Sequence, residues 1–338
     1  MSVCQDSQPY VYELDTAVQG LTGRSYTYFK EDESKPPTPE ILHRAALRGD
    51  VKLLERALGA GISVDSSDQE GTTALILACI HNHYDCAKML LEHGANPSAQ
   101  RMTGSNSLSY AAYGGFLPIV KLLLQYGVNI EPEEKGGATP FLFACLLNHA
   151  DVAQELLATN PDFEKRMIEW NIPMCLAAQN GHTSIIRFLI SRGCDINTQC
   201  RNADLTLPTN GTTPLFLACQ FGHATVVKRL VDSGADVNLT RDDGCSPLLK
   251  AAEKGFTEIV RFLLSKGAHH GQMRNGETPL HVAAYCGRIM VLKALVEHGV
   301  DINLMDGRGR PALSRALLGG HAIAVKYITR IMTERNLL

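Results

Sequence analysis

No stretch of this chain approaches the roughly 18 to 20 consecutive apolar residues that cross a bilayer. Its opening, MSVCQDSQPY, has neither the basic start nor the apolar core of a signal peptide. A soluble protein of the cytoplasm or nucleus is expected, with no membrane insertion. Aromatic residues fill only 6% of the 338 positions and Trp170 is the one tryptophan, which argues against an aromatic-rich β-sandwich interior. Charge of one sign is scarce as well. Acidic residues number 35 and basic residues 32, so the net charge of −3 gives no global field to recruit nucleic acid or anionic lipid. The ten cysteines contain no CxxC pair, which speaks against a zinc ribbon, and so long a chain has no need of disulfide staples. There is no GxxxxGK loop, GxGxxG turn, HExxH helix, GxSxG elbow or kinase signature, so no catalytic residue, cofactor or small-molecule substrate is assigned.

The length itself exceeds the roughly 250 to 300 residues that one hydrophobic core supports. Two globular domains or a repeating architecture would resolve that. The sequence favours repetition. Aligning the small pairs Ala45-Ala46, Ala78-Cys79, Ala111-Ala112, Ala144-Cys145, Ala177-Ala178, Ala218-Cys219, Ala251-Ala252, Ala283-Ala284 and Ala316-Leu317 gives spacings of 33 residues, broken only by one of 41 and one of 32. Nine repeats follow, starting at Thr38, Gly71, Gly104, Gly137, Trp170, Gly211, Gly244, Gly276 and Gly309. Positions within a repeat are given as offsets from these starts.

Six repeats place Pro at offset 2 or 3, where the first turn of a helix has no use for its N–H. The small pair at offsets 7 and 8 suits two helices that approach closely. Further on, runs such as Val226, Val227, Leu230, Val231 and Ile259, Val260, Leu263, Leu264 mark one face of a second helix. At offset 23 stands Gly61, Gly94, Gly127, Gly193, Gly234, Gly267 or Gly299, with Asn160 in repeat 4; these are the two residue types that end a helix at positive φ. Repeat 9 has Met332 there and Thr329 at an otherwise apolar position, the degeneracy expected of a terminal repeat.

Each repeat is thus a turn, a short helix, a second helix and a loop. Gly276-Glu-Thr-Pro-Leu-His-Val-Ala-Ala and Gly234-Ala-Asp-Val-Asn resemble the ankyrin repeat, over about 301 of the 338 residues. The resemblance implies an all-α solenoid of stacked helix-turn-helix repeats joined by β-hairpin-like turns. It also implies a non-enzymatic protein-binding module, an adaptor, scaffold or inhibitor with one or more protein partners. The alternative is the targeting or substrate-receptor subunit of an enzyme complex, such as a ubiquitin ligase or phosphatase. Such subunits usually carry a further C-terminal docking box, whereas this chain closes on Ile331-Met-Thr-Glu-Arg-Asn-Leu-Leu.

The repeat absorbs most of the other candidate motifs. Cys79, Cys145 and Cys219 sit at offset 8, where Ala stands elsewhere, and read as small buried hydrophobes. Cys4, Cys194, Cys200, Cys245 and Cys286 fall in tail, turn or helix-end positions and are expected to be exposed. His83, His149, His182, His223 and His321 recur at offset 12, between the helices, while His93 and His298 precede the terminal Gly. That is a repeated structural position, not a set of metal ligands.

Family practice places partners on the inner face of the first helices and on the turn tips. At offsets 9 and 10, Tyr113, Leu146, Leu147, Phe221 and Tyr285 form a candidate apolar surface, unless some pack against the next helix. The eight extra residues near 200–209 offer Arg201, Asp204, Leu205 and Leu207 as contacts; a solvated, tolerated insertion is the other reading. Asn197, Asn238 and Asn303 each follow a Leu by eight residues and resemble targets of the oxygen-dependent asparaginyl hydroxylase, while Asn side chains also tie turns. Residues 1–37 form an acidic tail. Asp6, Glu13, Asp15, Glu31, Asp32 and Glu33 outnumber Arg24, Lys30 and Lys35 by the whole net charge, and Tyr10, Tyr12, Tyr26, Tyr28 and Phe29 make the tail unusually aromatic. Two readings stay open for it: packing on the first repeat, or a docking segment.

Overall fold

The computed structural model of the protein describes residues 38–132, 139–159, 172–200, 211–269 and 276–335. Two compact units divide the chain. The described helices of the first are α1 (Pro39–Arg48), α2 (Val51–Gly59), α3 (Ala74–Ile80), α4 (Tyr84–Glu92), α5 (Ser107–Gly114), α6 (Leu117–Gln125), α7 (Pro140–Leu146) and α8 (Ala150–Thr159). Those of the second are α9 (Ile172–Asn180), α10 (Thr183–Ser191), α11 (Pro214–Phe221), α12 (Ala224–Asp232), α13 (Pro247–Lys254), α14 (Thr257–Ser265), α15 (Pro279–Tyr285), α16 (Ile289–Glu297), α17 (Ala312–Leu318) and α18 (Ala322–Glu334). Odd-numbered helices are the inner, first helix of each repeat. Within each unit they stack on one another, and each supports the outer helix of its own repeat. Among the described residues the extended structure is limited to isolated antiparallel bridges, Ser67 with Thr73, Gln100 with Asn106, Cys200 with Thr212 and Met305 with Pro311, at the bases of the connecting turns. This is the all-α repeat solenoid that the resemblance implies.

Local chemistry sets each helix. Before α3, α7 and α11 a Thr accepts the N–H three residues on: Thr73 from Ile76 at 3.3 Å, Thr139 from Leu142 at 3.3 Å and Thr213 from Phe216 at 3.1 Å. Ser246 does the same for α13, and Asn106 with Ser109 forms a reciprocal capping box on α5. Each such cap contributes about 1 kcal/mol. The small pairs behind them are fully buried through repeat 8, which lets inner helices pack backbone against backbone.

The turn between the helices carries a feature the repeat alignment does not single out. Offset 11 has positive φ in all nine repeats, with Gly49, Gly115, Gly181, Gly222, Gly255, Gly287 and Gly320 joined by Asn82 at 57° and Asn148 at 65°. The missing Cβ is used by the next repeat. A Cβ on Gly49 would lie 2.6 Å from Nδ1 of His83, and one on Gly115 would lie 2.4 Å from Nδ1 of His149. The offset-12 histidines therefore pack on the preceding repeat. Their Nε2 atoms reach its inner-helix carbonyls: His83 to Leu47 at 3.1 Å, His149 to Tyr113 at 3.0 Å and His223 to Gln179 at 2.8 Å. In repeat 8 Arg288 replaces the histidine, and its Nε donates to the Glu253 carbonyl at 3.0 Å.

Offset 23 behaves as its residue types require. The glycines named there all have φ between 72° and 99° and close outer helices of nine residues. Asn160 lies outside the described residues. With Met332 at that offset, α18 is not stopped and runs for 13 residues.

Candidate protein-binding surface

On the inner helices the small pair at offsets 7 and 8 is buried through repeat 8, and the two units fill the flanking offsets 5, 6, 9 and 10 differently. In the first unit Ile76, Tyr110 and Phe143, from three successive inner helices, form one buried cluster with Ile80 and Tyr113 packed against it. Tyr113 meets Phe143 edge-on, with ring centroids 6.2 Å apart. Leu146 is buried and turned into the stack, whereas Leu147, the residue that ends α7, is half-buried. The surface rests on a buried charge. Arg101 donates from Nε to Thr72 Oγ1 at 3.0 Å and from Nη1 to the Tyr110 hydroxyl at 2.9 Å, and its Nη2 pairs with Glu70. A guanidinium with nothing but apolar neighbours would be expensive to bury, and these partners offset that cost.

In the second unit Phe216, Cys245, Leu249 and Val282 form the corresponding buried stripe, with Cys286 against it. Here the aromatic residues emerge: Phe221 is 37% exposed and Tyr285 45%. Arginines lie against two rings, the exposed Tyr285 and the buried Phe216. Arg315 lies 4.6 Å from the Tyr285 centroid and pairs with Glu277, and Arg241 lies 5.3 Å from the Phe216 centroid and is held by Asp243. The Arg241 hydrogen bond is the main reason the Asp243 carboxyl is held below its ordinary pKa. Lys250 and Lys254 flank Glu253 at 2.6 and 3.7 Å. Tyr113 and Leu147 thus lie in the first unit, and Phe221 and Tyr285 in the second.

Arg201, Asp204, Leu205 and Leu207 lie outside the described residues. What flanks them is a closed hairpin base, in which the Cys200 N–H donates to the Thr212 carbonyl at 2.8 Å. Cys200 and Cys245 correct the expectation of exposure, since both are buried. Cys200 forms a disulfide with Cys175, a pairing 25 residues apart that no spacing rule would find. Cys194 and Cys286 are half-buried. Cys79, Cys145 and Cys219 are fully buried, and desolvation pushes the Cys79 and Cys219 thiols far up, so no thiolate forms there near neutral pH.

The candidate asparagines join consecutive turns. Asn197 Oδ1 accepts the Asp236 N–H at 2.8 Å and Asn238 Oδ1 accepts the His269 N–H at 2.8 Å. Asp65 and Ser98 do the same for the N–H groups of Asn96 and Asn129. At Asn303 only a bond within its own turn is seen, its N–H donating to Asp301 Oδ1 at 2.9 Å. Among the described residues no cluster of three or more His, Cys, Asp or Glu side chains could hold a metal ion, and no helix is long and apolar enough to cross a membrane.

Family models of ankyrin repeats match residues 42–134, 108–200, 174–274 and 280–329. The chain is 29% identical over 297 residues to the ankyrin repeat protein nuc-2 of Neurospora crassa, covering 87% of this chain but 21% of that one. It is 26% identical over 224 residues to the ankyrin repeat protein YahD of Escherichia coli, covering 66% of this chain and 94% of YahD. Over 189 residues it is 29% identical to the human transient receptor potential cation channel subfamily A member 1, of which it spans 17%.

Proposed function

The chain belongs to the ankyrin-repeat family, and from that premise we propose that it is a non-catalytic protein-binding module acting as an adaptor, scaffold or inhibitor. The reading rests on one observation. At offsets 9 and 10, where solvated polar residues would be the neutral choice, Tyr113, Leu147, Phe221 and Tyr285 keep part or much of their apolar surface in solvent. Aromatic side chains held on rigid helices supply contact area at little cost in conformational entropy, and they are enriched at interface cores. With a nearly balanced net charge, no long-range field selects the partner, so contact chemistry does: shape and apolar contact in the first unit, exposed rings framed by charged side chains in the second.

Affinity purification from cells, comparing the native protein with a Tyr113→Ala/Leu147→Ala variant and a Phe221→Ala/Tyr285→Ala variant, tests this directly. Circular dichroism checks that both variants remain folded. Each pair is expected to lose a specific set of partners. A partner list unchanged by both variants rejects the inner faces as the binding surface.

A further inference from the structure

On the outer helices cations are answered across repeats, in a ladder of Lys121 with Glu155 at 3.5 Å, Lys228 with Glu258 at 2.6 Å and Arg261 with Glu297 at 2.8 Å. The inner helices of repeats 7 to 9 carry charge without that balance. Over α13, α15, α17 and the turns that close them, residues 247–256, 279–288 and 312–321, stand Lys250, Lys254, Arg288 and Arg315, with Glu253 as the only acid. Glu277 joins from the start of repeat 8 and pairs with Arg315. Glu253 is shared, 2.6 Å from Lys250 and 3.7 Å from Lys254. Arg288 turns its Nε to the Glu253 carbonyl, a neutral acceptor. Four cations thus stand against two carboxylates, and Lys254 and Arg288 are both exposed. These groups share one neighbourhood: the half-buried Cys286 thiol, raised by burial, feels Glu253, Arg288, Arg315 and Lys254 at once.

Apolar side chains are set among the charges. Offset 9 or 10 of repeats 6 to 9 holds Phe221, Lys254, Tyr285 and Leu318, all exposed, on inner helices that stack in order from α11 to α17. The Tyr285 ring is backed by Arg315 at 4.6 Å, and Glu277 in turn holds Arg315. Packed helices lie about 8–10 Å apart, close to the rise of three residues of extended chain at about 3.3 Å each. A strand-like segment crossing the inner helices therefore meets a new one at every third residue. Exposed rings and an aliphatic side chain amid an excess of cations are complemented by carboxylates interleaved with large apolar side chains. Resting on the reading of these faces as protein-binding, we propose that Phe221, Lys254, Tyr285, Arg288 and Leu318 bind an extended acidic segment of a partner protein. Its carboxylates lie on Lys254 and Arg288, and its aromatic or aliphatic side chains on Tyr285 and Leu318.

Selection of short random peptides displayed on phage, against the full-length protein, tests this chemistry without a known partner. Recovered sequences are expected to be rich in Asp and Glu, with Phe, Tyr, Trp or Leu at about every third position. Synthetic peptides from that set, followed by fluorescence anisotropy, should bind more weakly as salt is raised. Lys254→Glu/Arg288→Gln, which keeps an N–H donor for the Glu253 carbonyl, and Tyr285→Ala/Leu318→Ser should each weaken them about tenfold or more. Circular dichroism checks that both variants fold, and Lys254→Glu alone replaces the charge variant if it does not. No enrichment, sequences without an acidic excess, or peptides that bind the charge variant undiminished would overturn the proposal. Poly(U) bound as tightly as the peptides, or a dimer that the charge variant splits, would give the stripe to nucleic acid or to a second copy and overturn it too. The affinity-purification variants alter apolar side chains only. Partners lost there, with no acidic peptides recovered here, would leave the protein-binding reading standing and remove the acidic segment; partners kept by both of those variants would remove the reading itself.

Discussion

The inner helices of the two units are built on one plan and place their charged residues differently. In the first unit, α3, α5 and α7 read ALILACI, SLSYAAYG and PFLFACL, without a charged residue among them, and charge is confined to α1, with Glu40, Arg44 and Arg48. In the second, α9, α11 and α15 are likewise uncharged, whereas α13 carries Lys250, Glu253 and Lys254, α17 carries Arg315, and Arg241 and Arg315 lie over aromatic rings. What the two share is the small pair at offsets 7 and 8 and the positive-φ turn at offset 11, the positions that hold helix on helix. What they do not share is offsets 5, 6, 9 and 10. Stacking fixes the first set and leaves the second set free, so one fold can carry an apolar face and a charge-framed face.

The sharpest way to break that comparison is to empty the aromatic cluster of one unit. Phe143→Ala removes a fully buried ring from beneath Tyr113 and should cost about 3–5 kcal/mol. Hydrogen–deuterium exchange should rise in peptides covering 74–146. Phe216→Ala should do the same for peptides covering 214–285. If Phe143→Ala costs less than 1 kcal/mol on the scale of those core truncations, the apolar face is not the packed platform described here.

The plan was legible in the sequence and the faces were only half so. The 33-residue spacing, the Pro at offset 3 and the Gly at offset 23 each have a local physical cause, and each corresponds to an observed cap or turn. Burial at offsets 9 and 10 depends on the neighbouring repeat, which no local pattern encodes. Leu146 and Leu147 are adjacent, and one is buried while the other is not. The Cys175–Cys200 bond and the contacts of Arg101 with Thr72 and Glu70 are likewise between elements distant in sequence. The offset-11 signal was available: seven Gly and two Asn at one register point to positive φ, as the same two residue types do at offset 23.

A smaller effect separates the units by pH. His281 is fully buried in the second unit, between Thr278 Oγ1 at 2.9 Å and the Arg310 carbonyl at 3.1 Å, and desolvation lowers its pKa below the ordinary value despite nearby Asp306. The folded state then binds fewer protons than the unfolded state in the window between the lowered pKa and about 6.5. Its contribution to stability is full above about 6.5 and is lost as pH falls through that window. Denaturation of the second unit, followed at pH 7 and pH 5, should show a lower midpoint at pH 5, and His281→Gln should flatten the difference. In the first unit His81, half-buried and lowered by burial and by His83, should give a weaker trend of the same sign. An equal or larger acid loss in the first unit would reverse the contrast.

The smallest effect comes from the outer helices. Lys228 and Glu258 are 2.6 Å apart yet 48% and 68% exposed, so water and salt screen most of their attraction. Lys228→Ala should cost about 0.2–1 kcal/mol at low ionic strength, and that loss should shrink as salt shortens the screening length from about 10 Å at 0.1 M to about 3 Å at 1 M. Lys121→Ala, which breaks the pair with Glu155 in the first unit, should behave alike. Chemical denaturation of both variants at two salt concentrations measures this. Equal, small and salt-sensitive losses would place the difference between the units on their inner faces alone, because the outer ladder would then be common to both. A salt-insensitive loss well above 1 kcal/mol in either variant would mean that the ladder holds the stack together, and the outer helices would have to enter the comparison beside the inner ones.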